Sequence, residues 1–323
     1  MKNHTDVLKW AADCLISKGY SLVKSSEIIQ ETPWSTVIQF PTSKGDIYLK
    51  QTPLSIAMEP EIIQLLKNKL HANVPVVIAA NKQLHCFLME NAGLTLRHYL
   101  KNHFQPELMC EAIQQFTTMQ RSAETQINSF FALEVPDWRI KQLPKLYNQL
   151  ISLVDILKEN GMTDEEIQIL HDLNSNVLEQ CELLSQYQIP DTIVQPDFNT
   201  NNMLFDPTHK KMTLIDLGEI AISHPFFSLH NFLYQATIHH HVKVQDVMYQ
   251  KLENACFENW FEFATKSQLR DAFKLTQKLW HIYGALAYYR LMMSVDLEAL
   301  KAFYSNRPNP LANSFRQYIK MAG

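Results

Sequence analysis

Asp197, Asn199, Asn201 and Asn202 crowd into the run VQPDFNTNNMLF, and Asp216 follows in the short segment LIDLGE. Carboxylate and amide oxygens are hard donors. One or two carboxylates with an amide oxygen suit Mg2+, which binds few protein ligands and fills its remaining positions with substrate phosphates and water. The chemistry these residue types point to is therefore cation-assisted handling of a phosphate. A solvated polar turn is the alternative, and the surrounding elements have to decide between them.

Those elements are legible. MLF and MTLI are short apolar runs separated by DPTHKK, and Asp206-Pro207 is a turn opener, so a hairpin is predicted. In an antiparallel pair the residue entering the first strand lies beside the residue leaving the second. Here those are Asn202 and Asp216, with Asp197 in the loop ahead. Upstream, TVIQF, PTSKGD and IYLKQ read as strand, turn and strand. A helix over Glu59–Leu70 carries Pro60 in its first turn, and VPVVIAA and HCFLMEN add two more strands. From Leu94 the period turns helical and stays so through TLRHYL, the segment after Glu107, Lys141–Leu184 and nearly everything after Phe226. In MKNHTDVLKWAADCLISKGY, Asp6, Lys9 and Asp13 break up the apolar residues, so an amphipathic helix is expected there rather than the uninterrupted apolar region of a signal peptide.

The bulk properties exclude several classes. At 323 residues the chain is expected to make two lobes, and its 46% hydrophobic and 19% charged residues are those of a globular protein. A net charge of -4 gives no basis for general nucleic-acid binding. Cys14, Cys86, Cys110, Cys181 and Cys256 are scattered, without a C-x-x-C pair, and read as reduced thiols. No run of about 18 apolar residues predicts a membrane span, and a cytoplasmic location is expected. His239, His240 and His241 are consecutive, point about 100° apart on a helix and cannot share one ion, so a helix end or loop is expected there. CFENWFEF and WHIYGALAYYRLMM are read as core, with His281, Tyr283 and Arg290 as candidates for lining a substrate cleft.

Asp197-Phe198-Asn199-Thr200-Asn201-Asn202 followed by Ile215-Asp216-Leu217-Gly218-Glu219 resembles the catalytic core of aminoglycoside phosphotransferase and choline-kinase-like enzymes. The resemblance spans roughly residues 23–233 and rests on the order of its parts. It implies an α+β, bilobal protein-kinase-like fold: a small antiparallel-sheet N-lobe over residues 1–89 and a larger, mainly helical C-lobe over 90–323. It implies Asp197 as the catalytic base, Asn202 and Asp216 as Mg2+ ligands, and Lys50 on the α- and β-phosphates of ATP or GTP. Glu59 or Glu61 would pair with Lys50, Glu59 being preferred. Ser35 and Thr36, in PWSTVIQF, would lie over the phosphates in place of glycines, and backbone groups of Met89, Glu90 and Asn91 would face the nucleobase as the hinge.

Four positions depart from the family pattern. Gln195 stands where histidine is usual, His224 and Ser228 where aspartates are common, and Asn201 where glycine is common, asparagine being tolerant of left-handed backbone. The expected activity is transfer of a γ-phosphoryl group to the hydroxyl of a small molecule. The alternative, prompted by Gln195 and the glycine-free phosphate loop, is a nucleotide-binding pseudokinase that regulates a partner. A protein kinase is disfavoured because only a few residues separate Asp216 from the next helix. The late helices carry acids and bases in near balance, so an aminoglycoside acceptor is not implied.

Overall fold

The structure, a computed structural model, describes residues 4–102 and 104–322. Contacts gather the chain into two units. The first holds Met1–Leu94, Leu204–Gly218 and Met292–Phe303; the second holds Thr95–Met203, Glu219–Leu291 and Tyr304–Gly323.

The first unit is built on α1 (Thr5–Ser17) and a five-stranded sheet of β1 (Glu27–Glu31), β2 (Thr36–Thr42), β3 (Gly45–Gln51), β4 (Val77–Asn81) and β5 (Cys86–Glu90), with α2 (Glu59–Leu70) between β3 and β4. The strand order is β1-β2-β3-β5-β4 and every pairing is antiparallel. β2 and β3 turn through Ser43-Lys44, with Thr42 opposite Gly45, which has φ 102° and so needs glycine. Val7, Ala11 and Leu15, at helical spacing on α1, pack on Ile38, Phe40, Ile47, Leu49, Cys86 and Leu88 from one face of the sheet. Side chains alternate along a strand, so Lys50, between Leu49 and Gln51, belongs to the face away from α1. The strand pattern that builds the core thereby also sets the direction of the lysine.

The segment Leu204–Gly218 supplies this unit with most of the expected hairpin, Met203–Asp206 and Lys211–Leu214. Asp206 Oδ1 accepts the N–H groups of Thr208 (2.9 Å) and His209 (3.3 Å), which fixes the turn. Gly93, at φ 113°, allows the chain after β5 to pass against this hairpin: a Cβ there would lie 2.4 Å from the Phe205 carbonyl oxygen.

The second unit is mainly helical. Its principal helices are Pro106–Ala123, Leu143–Ile151, Asp164–Asp172, Asn174–Ser185, Phe226–His239, Val247–Phe257, most of Lys266–Met292, and Pro310–Ala322. Asp164–Asp172 starts at a capping box in which Thr163 and Glu166 satisfy each other's backbone N–H. A two-stranded ladder pairs Thr192–Val194 with Ala221–Ser223. The aromatic segments are core, as expected: Phe257, Trp260 and Tyr283 are fully buried, and Tyr283 stacks on Phe227 at 4.8 Å. Tyr283 therefore does not line a cleft, contrary to the sequence reading; its ring is taken up by packing. The histidine run falls at a helix end, with His239 the last helical residue and His241 at φ 54°. Among the described residues no helix is long and apolar enough to cross a membrane, and the five cysteines are free thiols.

Two histidines in this core give a pH prediction. His224 and His230 are buried, and burial lowers each from 6.5 to about 3, so both are neutral in the fold. In the unfolded chain they take up protons below about pH 6.5, so the unfolded state binds more protons and stability falls as pH drops from 6.5 toward 3. Each neutral histidine costs about 2 kcal/mol at pH 5. Denaturant titrations at pH 7.5 and pH 5 should show this loss, and His230→Gln should lose less between the two pH values than the wild type does.

Candidate active site

Two polar clusters, one in each unit, hold Lys50, Glu59 and Asp216, and Asp197 and Asn202. In the first, the Lys50 ammonium lies 2.6 Å from Glu59 Oε2 and also donates to Asp216 Oδ1. The lysine and glutamate side chains are 8% and 2% exposed, that of Asp216 35%. Burial alone disfavours the ammonium, but the two carboxylates outweigh it and hold Lys50 protonated, above its ordinary value. Glu59 is raised by burial and by the charge of Asp216, against the lowering by Lys50. One buried cation thus serves two anions, a surplus of negative charge with its open side at Asp216.

Three local features build this cluster. Glu59 is the first residue of α2, and its Oε1 accepts the Leu217 N–H at 2.9 Å, which ties the helix to the strand end carrying Asp216. Asp216 is left-handed, at φ 64°, a conformation that aspartate tolerates better than most residues. Gly218 permits the close approach: a Cβ there would sit 2.9 Å from Ile56 O and 3.4 Å from Glu59 Oε2. Glu61, one of the two expected partners of Lys50, is not brought to it. It faces Lys82 at 3.0 Å: two positions along a helix point about 200° apart, which leaves Glu59 as the acid on the buried side.

In the second cluster, Asp197 is surrounded by asparagine amides. Its Oδ1 accepts from Asn199 Nδ2 (2.8 Å) and Asn231 Nδ2 (3.2 Å), and its Oδ2 from Asn202 Nδ2 (3.1 Å). The Asn202 and Asn199 amides also donate to the Asp197 carbonyl, at 2.9 and 2.8 Å. Because the Asn202 nitrogen is committed to Asp197, Oδ1 is the atom it can offer a cation. Beneath the loop, Phe198 stacks on Phe116 at 3.9 Å and on Phe232 at 4.9 Å. Two of the departures from the family pattern, Gln195 and Ser228, are buried here: the Gln195 N–H donates to Ser228 Oγ at 2.7 Å, so a hydroxyl holds the start of the loop. Asn201 does not take a left-handed conformation; the left-handed residue of the set is Asp216.

Each unit taken by itself offers a hard oxygen of the kind Mg2+ accepts: the partly exposed Asp216 carboxylate in the first, and Asn202 Oδ1 in the second. Among the described residues no group of three or more His, Cys, Asp or Glu is gathered for a metal ion.

The expected phosphate loop and hinge differ in detail from the sequence reading. Ser35 and Thr36 are buried, and their hydroxyls do not line an open surface: Ser35 Oγ lies 3.3 Å from Thr32 Oγ1, which also accepts the Ser35 N–H at 2.9 Å. Between them and Thr32, Trp34 meets Phe303 edge-on at 4.9 Å, a contact nothing in the sequence signalled. In the hinge, the Glu90 N–H donates to Val76 O at 3.0 Å, which withdraws that donor from any nucleobase, while Asn91 Oδ1 caps the turn through the Gly93 N–H at 2.9 Å. Of the suggested cleft residues, Arg290 donates to Ile220 O at 3.1 Å and His281 lends its carbonyl to Ser314. Tyr304 belongs to the same unit as Asp197; its ring meets Tyr288 edge-on at 5.5 Å, and burial raises its hydroxyl to about 12, with the charges of Glu219 and Asp197 adding.

No family model matches the chain, and no curated protein matches it in sequence. Solved structures do match its fold. An ethanolamine kinase from Plasmodium vivax superposes with a TM-score of 0.62 over 93% of this chain and 84% of the other, at 14% identity. An ADP-bound aminoglycoside phosphotransferase gives 0.61 over 99% of both chains at 16% identity. A choline/ethanolamine kinase family protein from Mesorhizobium loti gives 0.60 over 99% and 100% at 14% identity. With a five-stranded antiparallel sheet in one unit and helices in the other, the chain has the protein-kinase-like fold of the aminoglycoside phosphotransferases and choline/ethanolamine kinases.

Proposed function

We propose that the protein is a phosphotransferase that moves the γ-phosphoryl group of ATP or GTP to a hydroxyl of a small molecule, with Mg2+ as cofactor. The observation that carries the proposal is the buried Lys50 held between Glu59 and Asp216. A lysine sequestered with two carboxylates in this way is a poor structural element, since a buried ion pair seldom stabilises more than apolar packing would. It is a good receptor for phosphate, because one of its anions lies at the open side and can turn to a cation. Solved structures of similar fold lend support through the ligands in their names: ATP with streptomycin in one, ADP in another and GDP in a third.

The residues divide the work as follows. Lys50, kept protonated and fixed by Glu59, steadies the α- and β-phosphates. Asn202, through Oδ1, and Asp216, through its carboxylate, would hold Mg2+, which when bound supplies neutralising charge to the phosphates. Asp197 orients the acceptor hydroxyl. As the acceptor oxygen bonds to the γ-phosphorus, the bond from that phosphorus to the β,γ-bridging oxygen breaks. Its electron pair leaves with the nucleoside diphosphate, and the hydroxyl proton passes to the Asp197 carboxylate. The amides of Asn199, Asn202 and Asn231 hold that carboxylate in one orientation beforehand.

The test is thermal stabilisation by ATP and GTP with and without Mg2+, followed by a screen of amino alcohols and amino sugars for phosphoryl acceptance. Binding at 100 times Kd adds about 2.7 kcal/mol, or about 4 °C for a chain of this size. Metal-dependent stabilisation with turnover supports the enzyme. The regulatory pseudokinase, favoured by Gln195 in place of the usual histidine, predicts stabilisation without turnover on any acceptor or water. No stabilisation by either nucleotide ends both readings.

A further inference from the structure

We propose that Arg97 is a positioning residue for Asp197, acting through the side-chain amide of Asn199; this rests on the phosphotransferase reading of the loop. Arg97 lies in the first turn of the helix Leu96–Asn102. Its own N–H donates to Thr200 O at 2.9 Å, which fastens the helix to the loop. Its guanidinium Nη2 donates to Asn199 Oδ1 at 2.8 Å and to Gln235 Oε1 at 3.2 Å. The Asn201 N–H donates to the same Asn199 oxygen at 2.7 Å.

An asparagine amide is nearly symmetric in shape and asymmetric in chemistry. Either end of Asn199 could face Asp197 if nothing else were near. Arginine has donors and no acceptor, so the amide atom facing Arg97 has to be the oxygen. The nitrogen is then turned to Asp197, where it donates to Oδ1 and to the carbonyl oxygen, both at 2.8 Å. A flipped amide would set nitrogen against the guanidinium and the Asn201 N–H, and oxygen against the Asp197 carboxylate. Asn199 is 2% exposed, so water could not relieve those mismatches. Arg97 thus fixes a choice that decides which way the base of the reaction points. The charge of Asp197 acts on Arg97 in return, opposing the lowering of the guanidinium by burial. Nothing local in the sequence links the two, which stand 102 positions apart as Arg97 and Asn199.

The test uses the full chain with MgATP, water serving as the acceptor so that no substrate need be known. Arg97→Ala should lower kcat for nucleotide hydrolysis about 100-fold, with KM for MgATP and the nucleotide-dependent thermal shift unchanged. Arg97→Lys, which keeps a cationic donor, should recover part of that loss. The double variant Arg97→Ala/Asn199→Ala should lose no more than either single one, because the two act as one unit. Independently of turnover, the Asn199 side-chain amide, assigned by NMR, should be protected from solvent exchange in the wild type and lose that protection in Arg97→Ala. Wild-type kcat in Arg97→Ala, losses that multiply in the double variant, or an amide still protected would each overturn the proposal. A wild-type chain that shows neither Mg2+-dependent stabilisation nor hydrolysis rejects the phosphotransferase reading itself, and the catalytic role of Arg97 with it, even where the amide behaves as expected.

Discussion

Asp216→Asn is expected to abolish the Mg2+-dependent part of nucleotide stabilisation and to lower kcat by about 1,000-fold. The reasoning begins with charge. Lys50 faces two carboxylates, and Asp216 is the one with an exposed edge. Replacing it by asparagine keeps the shape and tolerates the left-handed φ of 64°. The variant removes the anion that a cation would need, while Lys50 keeps its buried partner Glu59 at 2.6 Å, so the fold should survive. Asp216→Ala adds the backbone cost of a left-handed alanine, about 1 kcal/mol. The readout is a thermal shift with ATP, with and without Mg2+, for wild type and both variants. Equal metal-dependent shifts in all three would remove Asp216 from the metal site.

The second large effect is expected at Asp197. Asp197→Asn should lower turnover about 100- to 10,000-fold while weakening MgATP stabilisation only modestly, separating base function from nucleotide binding. An asparagine at 197 can present its oxygen to Asn199 and Asn231 as Oδ1 does now, at 2.8 and 3.2 Å. Its nitrogen would then oppose Asn202 Nδ2, which at present donates to Oδ2 at 3.1 Å. A small rearrangement of Asn202 follows, so KM for the metal-nucleotide complex should rise modestly while kcat collapses. Steady-state kinetics at saturating nucleotide distinguish the two. Should kcat in Asp197→Asn stay within about threefold of wild type, another group must take the proton, and the assignment fails.

Both predictions are attached to residues whose types and order are readable in the sequence. Lys50 in IYLK, an acid opening the next helix, the D-x-x-x-x-N run and the aspartate after a second strand each fell on an element that the local pattern predicts. The helix Glu59–Leu70 and the hairpin at Met203–Asp206 and Lys211–Leu214 are where proline, turn residues and apolar runs place them. Such features are local: alternation, helical period and turn chemistry are settled within a few residues, and a single sequence records them.

The partners of those residues are another matter, since a hydrogen bond between distant segments leaves no period to read. Glu59 and Glu61 are equivalent as first-turn acids, and only packing turned one to Lys50 and the other to Lys82. The hydroxyls of Ser35 and Thr36 look available in sequence and are buried in the fold. Ser228, an apparent defect, holds the Gln195 N–H across 33 positions. Arg97 and Asn231 reach the Asp197–Asn202 loop from helices on either side of it in the chain. Phe303 meets Trp34 because Met292–Phe303 joins the first unit. The sequence by itself thus determined which chemical groups this protein has and on what kind of element each stands. The tertiary structure decided which way each group faces, because orientation follows from donors, acceptors and burial supplied by segments that are close only once the chain has folded.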